Sequence, residues 1–180
     1  PHRAAQHSPV NKIIMPTFNW NRFVVRITVN ASPKDLYTAW ATRKGLEHWF
    51  LRLAEFKTAN GIVRPAASFI EPGDSYRWLW HGWPDETVEL GNVTACNGKD
   101  QLCFTFGKAG DCTVTIKTME GENMVELVQE NIPDDETGMR NYHLGCKNGW
   151  TFYLANLKSV LEGGIDLRNR NEKITGVVNS

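Results

Sequence analysis

The chain has 180 residues, of which 41% are hydrophobic and 22% charged, enough for one domain with a sizeable core and few for two. Its 20 Lys and Arg balance 20 Asp and Glu, and without a positive excess nucleic acid is not expected as a partner. No apolar run approaches the ~20 residues of a membrane span, so no membrane partner is expected either.

Residues 1–18 show neither periodicity nor a secretory apolar core, and read as a disordered or extraneous N-terminal extension, with Met15 a candidate start. Residues 23–29 are rich in Val, Ile and Phe and predict a strand. Ser32 then supplies a helix N-cap and Pro33 the first helical position. Leu36, Ala39 and Trp40 mark the apolar face of that helix, and residues 45–50 predict a second short one. A strand over 52–58 and an irregular stretch over 59–71 lead to the turn Pro72-Gly73-Asp74. Tyr76, Trp78 and Trp80 alternate along the next strand, residues 75–81. Residues 86–96, 101–106, 112–119 and 123–131 continue an antiparallel meander, with Asn97-Gly98 predicting a type I′ hairpin turn.

Residues 138–162 predict one amphipathic helix of roughly 36 Å at about 1.5 Å per residue. Cys146, Trp150, Tyr153, Leu157 and Val160 or Leu161 fall on one stripe; Lys147, Asn148, Asn156, Lys158 and Glu162 fall opposite. Gly145 and Gly149 inside it mean either close packing against a strand or room for a ligand. Residues 165–180 read as a polar tail.

The order of elements, with Ala31-Ser32-Pro33, Leu36, Trp40 and then Leu46-Glu47-His48-Trp49-Phe50, resembles the START-like (SRPBCC) superfamily. Within it the chain is most similar to homologues of the heat-shock protein 90 ATPase activator C-terminal domain. Pro72 to Trp78 and the Gly149-Trp150 pair of the final helix add weaker matches, and the resemblance covers about residues 20–162. It implies an α+β, helix-grip fold over residues 19–164: a curved antiparallel β-sheet wrapped around a long C-terminal α-helix, with two short helices after the first strand. It also implies an apolar cavity between helix and sheet, and it suggests a chaperone as a partner. Fold likeness carries function poorly, so the site must be argued from its residues.

His48, His81 and His143 lie on different elements and the cysteines lack ligand spacing, so no metal is expected. No phosphate-cradling glycine loop or nucleophile elbow occurs, and no cofactor is expected. Cys96, Cys103, Cys112 and Cys146 include no close pair and read as reduced thiols of a cytoplasmic protein. A Cys146–His143 pair three residues apart reads as a buried thiol beside a helix-face histidine rather than as catalytic.

The expected site is aromatic: Trp40, Trp49, Phe50, Trp78, Trp80, Phe106, Trp150 and Tyr153, with Glu89, Glu130 and His143 as candidate polar groups. The leading reading is a non-catalytic domain binding a small hydrophobic molecule, apolar or aromatic. The alternatives are a cavity enzyme of the cyclase, dehydratase or hydrolase kind using Glu89, Glu130 or His143, and an interaction module for a chaperone or a homodimer partner.

Overall fold

A single seven-stranded antiparallel sheet, in the order β1-β7-β6-β5-β4-β3-β2, carries the architecture. The computed structural model describes residues 17–178, so the expected N-terminal extension lies outside the described residues except for its last two. The strands are β1 (Phe23–Thr28), β2 (Leu53–Lys57), β3 (Ser75–Leu79), β4 (Val88–Cys96), β5 (Gln101–Thr105), β6 (Asp111–Met119) and β7 (Glu122–Glu130). Two short helices, α1 (Pro33–Ala41) and α2 (Arg43–Trp49), follow β1, and α3 (Cys146–Leu161) comes last. The helix-grip expectation is met.

Local chemistry sets these boundaries. Ser32 Oγ accepts from the Asp35 N–H at 3.0 Å, with Pro33 at the helix start. Thr42 ends α1 and caps α2 by accepting from the Gly45 N–H at 2.9 Å. A Cβ at Gly45 would stand 2.3 Å from the Thr38 carbonyl oxygen, so only glycine lets the two helices meet this closely. β4 pairs with β3 over its first half and with β5 over its second, with a register shift at Val93/Ala95. That irregularity lets one strand turn the corner of a curved sheet.

Three sequence expectations change. The Asn97-Gly98 turn is not a two-residue type I′ turn: only Gly98 has positive φ, and the Asn97 side chain accepts from the N–H groups of Lys99, Asp100 and Gln101. An asparagine that hydrogen-bonds the backbone ahead of it builds its own longer turn. The two-residue turn occurs instead at Glu120-Gly121, where φ is 49° and 81°. The expected single helix over 138–162 is divided: Gly138–Gly145 is a π-helix and only Cys146–Leu161 is α. Asn156, expected on the solvent side, is fully buried and donates to the Trp49 carbonyl at 2.6 Å.

Residues 165–178 contain no helix or strand, yet they are fastened. Arg168 is 6% exposed. Its guanidinium donates to the carbonyls of Glu47, His48 and Leu51, at the end of α2. Asp166 holds the same guanidinium through Nε and Nη2 at 2.9 and 2.8 Å. Burial pushes the Asp166 carboxyl up, but hydrogen bonds from Arg168 and Arg170 outweigh it and hold it well below the usual carboxylate range. A polar segment thus closes the last turn of a distant helix, whose carbonyls have no partner within the helix.

Candidate functional site

Inward-facing positions of the sheet are dominated by rings and branched side chains, and these fill the space under α3. Trp78 stacks on Tyr76 with centroids 4.0 Å apart, and meets Phe104 edge-on at 5.2 Å. Trp40 packs against Trp49 at 4.7 Å and Trp150 at 5.9 Å. Between them remains a void of only about 10 Å³. An enclosed cavity was expected here. The aromatic side chains fill the volume that would have formed it.

Space opens instead at the junction of the π-helix and α3. A cleft of about 180 Å³ is lined there by Phe50, Trp80, Phe106, Trp150, Tyr153, Asn141, Gly145, Cys146 and Gly149. The rings form one connected wall: Phe50 lies 4.8 Å from Tyr153 and 5.0 Å from Trp150, and Phe106 lies 5.6 Å from Trp150. The two glycines leave the helix side of the cleft open. A Cβ at Gly149 would meet nothing within 4 Å, and one at Gly145 only the Arg140 carbonyl at 3.6 Å. The close-packing reading of these glycines therefore fails, since a packing contact would put atoms where the Cβ would be.

Of the expected site residues, the structure brings Phe50, Trp80, Phe106, Trp150 and Tyr153 together at this cleft. Trp40, Trp49 and Trp78 stand behind them, 1%, 0% and 2% exposed. Glu130 lies elsewhere, exposed on the outer sheet face with Arg22 3.7 Å away. His143 is buried at the other side of the π-helix: its Nδ1 bonds the Trp20 carbonyl at 2.8 Å. Phe18, Trp20 and Phe23 meet its ring edge-on at 5.2–5.3 Å. Glu89 turns to the inner sheet face, shared with Gly91 and Val93, and pairs across the sheet with Trp78, but it is not among the residues lining the cleft.

Sequence reading left Asn141 and Cys146 out of the cleft. Cys146 belonged to the apolar stripe, but a π-helical turn ahead of it changes the angle at which earlier residues project. The Gly145-Gly149 spacing was the available signal.

The polar inventory around the cleft is short. Gln129 is fully buried; it accepts from Trp150 Nε1 at 2.9 Å and donates to the Ala109 carbonyl at 2.8 Å. Burial pushes the Cys146 thiol up, although Gln129 partly opposes this, so it is a poor thiolate nucleophile. Burial likewise raises the Tyr153 hydroxyl to about 12 and the Glu89 carboxyl above its usual range. No group of three His, Cys, Asp or Glu among the described residues is placed to hold a metal ion. Cys96, Cys103, Cys112 and Cys146 are all free. Denatured protein without reductant is expected to release four titratable thiols. Recovery of two would reveal a disulfide and an oxidising compartment.

Comparison with known proteins bears on the fold. A family model described as activator of Hsp90 ATPase homolog 1-like protein matches residues 30–162. No curated protein is significantly similar in sequence. The solved Aha1 dimer from Colwellia psychrerythraea is 20% identical with a TM-score of 0.61, over 79% of this chain and 97% of that one. Protein SSP2350 from Staphylococcus saprophyticus is 18% identical with a TM-score of 0.61, over 82% and 96%. DynU16, a putative protein of the dynemicin biosynthetic locus, is 16% identical with a TM-score of 0.60, over 83% of this chain and half of its own. At these identities the likeness is one of fold.

Proposed function

Because the chain belongs to the family of activator of Hsp90 ATPase homolog 1-like proteins, a START-like family whose members share a fold more than a task, we propose that it acts by binding. Its ligand is a small apolar or aromatic molecule, held without chemistry in the cleft beside the π-helix. One observation carries this reading: Gly145 and Gly149 open an aromatic-walled cleft of about 180 Å³ where a helix would otherwise be filled with side chains. Catalysis has less support. Glu89 has no second inward acid or base opposite it, because Glu130 and His143 point elsewhere. A cytoplasmic setting fits the four free thiols. No described helix is long and apolar enough to cross a membrane.

Gly149→Leu tests the cleft. The side chain enters open space, and helix propensity improves by up to roughly 1 kcal/mol. Melting temperature is therefore expected to hold or rise, while binding of an apolar fluorescent dye is lost. Clear destabilisation with unchanged dye binding would sink the proposal, because overpacking a closed contact costs about 1–3 kcal/mol.

A second reading, docking on a chaperone or on a second copy of the chain, is favoured by the family description and the Colwellia dimer. The irregular segment after β2 supports it, with Ile62, Val63 and Phe69 exposed by 66%, 45% and 47%. Sedimentation equilibrium of the purified protein distinguishes a dimer from a monomer.

A further inference from the structure

We infer that the cleft selects an aromatic ligand carrying a protonated amine, whose N–H groups bond the Glu89 carboxylate. This deepens the binding proposal and rests on it.

Three features of the fold carry the assignment. First, Glu89 projects from the inner face of β4 beside Trp78, in a wall otherwise made of rings. Second, the chain keeps space for its carboxylate. A Cβ on Gly107 would stand 2.5 Å from Glu89 Oε1, and Gly107 has φ +51°. Any other residue there would be strained and would push the flexible acid aside. Third, the carboxylate is spare. Of the neighbouring inward polar groups, Gln129 is satisfied by Trp150 and Ala109 and the Tyr76 hydroxyl by the Thr105 carbonyl, whereas the buried Trp78 Nε1 has no partner. Among the described residues Glu89 makes no hydrogen bond and no ion pair, unlike Glu126, which faces outward and pairs with Arg26 and Lys117.

Glu89 stands next to the cleft, since Gly107, which its carboxylate approaches, directly follows Phe106 of the cleft wall. Burial is the main reason why the Cys146 and Cys112 thiols resist ionisation, and the Glu89 charge adds to it. The carboxylate is not itself among the lining residues, so the amine must reach past Phe106 toward Gly107 to meet it. A carboxylate held half out of water without a donor is costly, and a cationic N–H donor relieves that cost more than a neutral one. The rings of Trp80, Phe106 and Trp150 favour the same ligand, since aromatic faces attract both planar groups and cations.

The test uses two probes with one ring system and opposite heads, 2-naphthylmethylammonium and 2-naphthoate, titrated by quenching of tryptophan emission. The ammonium is expected to bind on the order of tenfold more tightly than the carboxylate, the value of one charge-assisted hydrogen bond. Glu89→Gln keeps the shape and removes the charge, so it is expected to abolish that preference without lowering the melting temperature. If both probes bind alike and Glu89→Gln changes neither, the amine assignment is wrong while the cleft survives. If neither probe binds, or if Gly149→Leu leaves both unaffected, the cleft reading fails and this inference with it.

Discussion

Arg168→Met is expected to cost about 3–5 kcal/mol of stability, the range for breaking a buried, hydrogen-bonded charge pair from one side. Methionine fills much of the same length but donates nothing. Three carbonyls at the end of α2, those of Glu47, His48 and Leu51, lose their donor, and Asp166 keeps a charge without its main partner. Arg168→Lys should recover only part of the loss, because one ammonium cannot reproduce a planar fork that reaches carbonyls and carboxylate together. A urea titration of both variants measures the effect. A loss below about 1 kcal/mol for methionine would show that residues 165–170 contribute little to holding α2.

Trp78→Ala is the second large loss, about 3–5 kcal/mol. The side chain is 2% exposed and touches Phe50, Phe56, Tyr76, Phe104 and Phe106. Its removal leaves a hole among rigid rings that cannot collapse easily. The indole Nε1 is buried with no hydrogen-bond partner, so Trp78→Phe gives up volume without orphaning a partner and should cost markedly less. Similar losses for both variants would mean that the nitrogen is engaged after all. A loss under about 1 kcal/mol for alanine would overturn the assignment of strand faces.

How much of this was legible beforehand follows from the range of the interactions concerned. The strand alternation Tyr76, Trp78, Trp80, the Ser32-Pro33 cap and the apolar stripe of the last helix are local patterns, and the strands and first two helices formed within a few residues of their expected bounds, whereas the last α-helix begins at Cys146 rather than Gly138. The inward turn of Glu89 did not follow from its parity with Gly91 and Val93, since alternation alone does not say which sheet face is buried. What failed was non-local or finely balanced. Asn156 looks like a surface residue until Trp49, Asp166 and Leu167 are placed around it. Residues 165–170 look like a tail because nothing in Asp166 or Arg168 names a helix end some 120 residues away. The π-helix has the same apolar spacing as an α-helix would, and only the packed structure decides between them. The filled interior was equally hidden: seven tryptophans argue for an aromatic wall and for an aromatic plug alike.

The Arg168 clasp also bears on how the chain is made. Its partners on α2 and just beyond it precede it by 117 to 121 residues, which at about 5–20 residues per second is roughly 6–24 s of synthesis. Throughout that interval α2 exists with its final carbonyls in water, and the corner that carries Trp49 and Phe50 lacks its lock. A nascent chain that stalled after Leu161 would possess every strand and helix of the described residues, and still lack the clasp. The clasp thus makes synthesis as far as Arg168, beyond the last described helix, a condition of the mature fold.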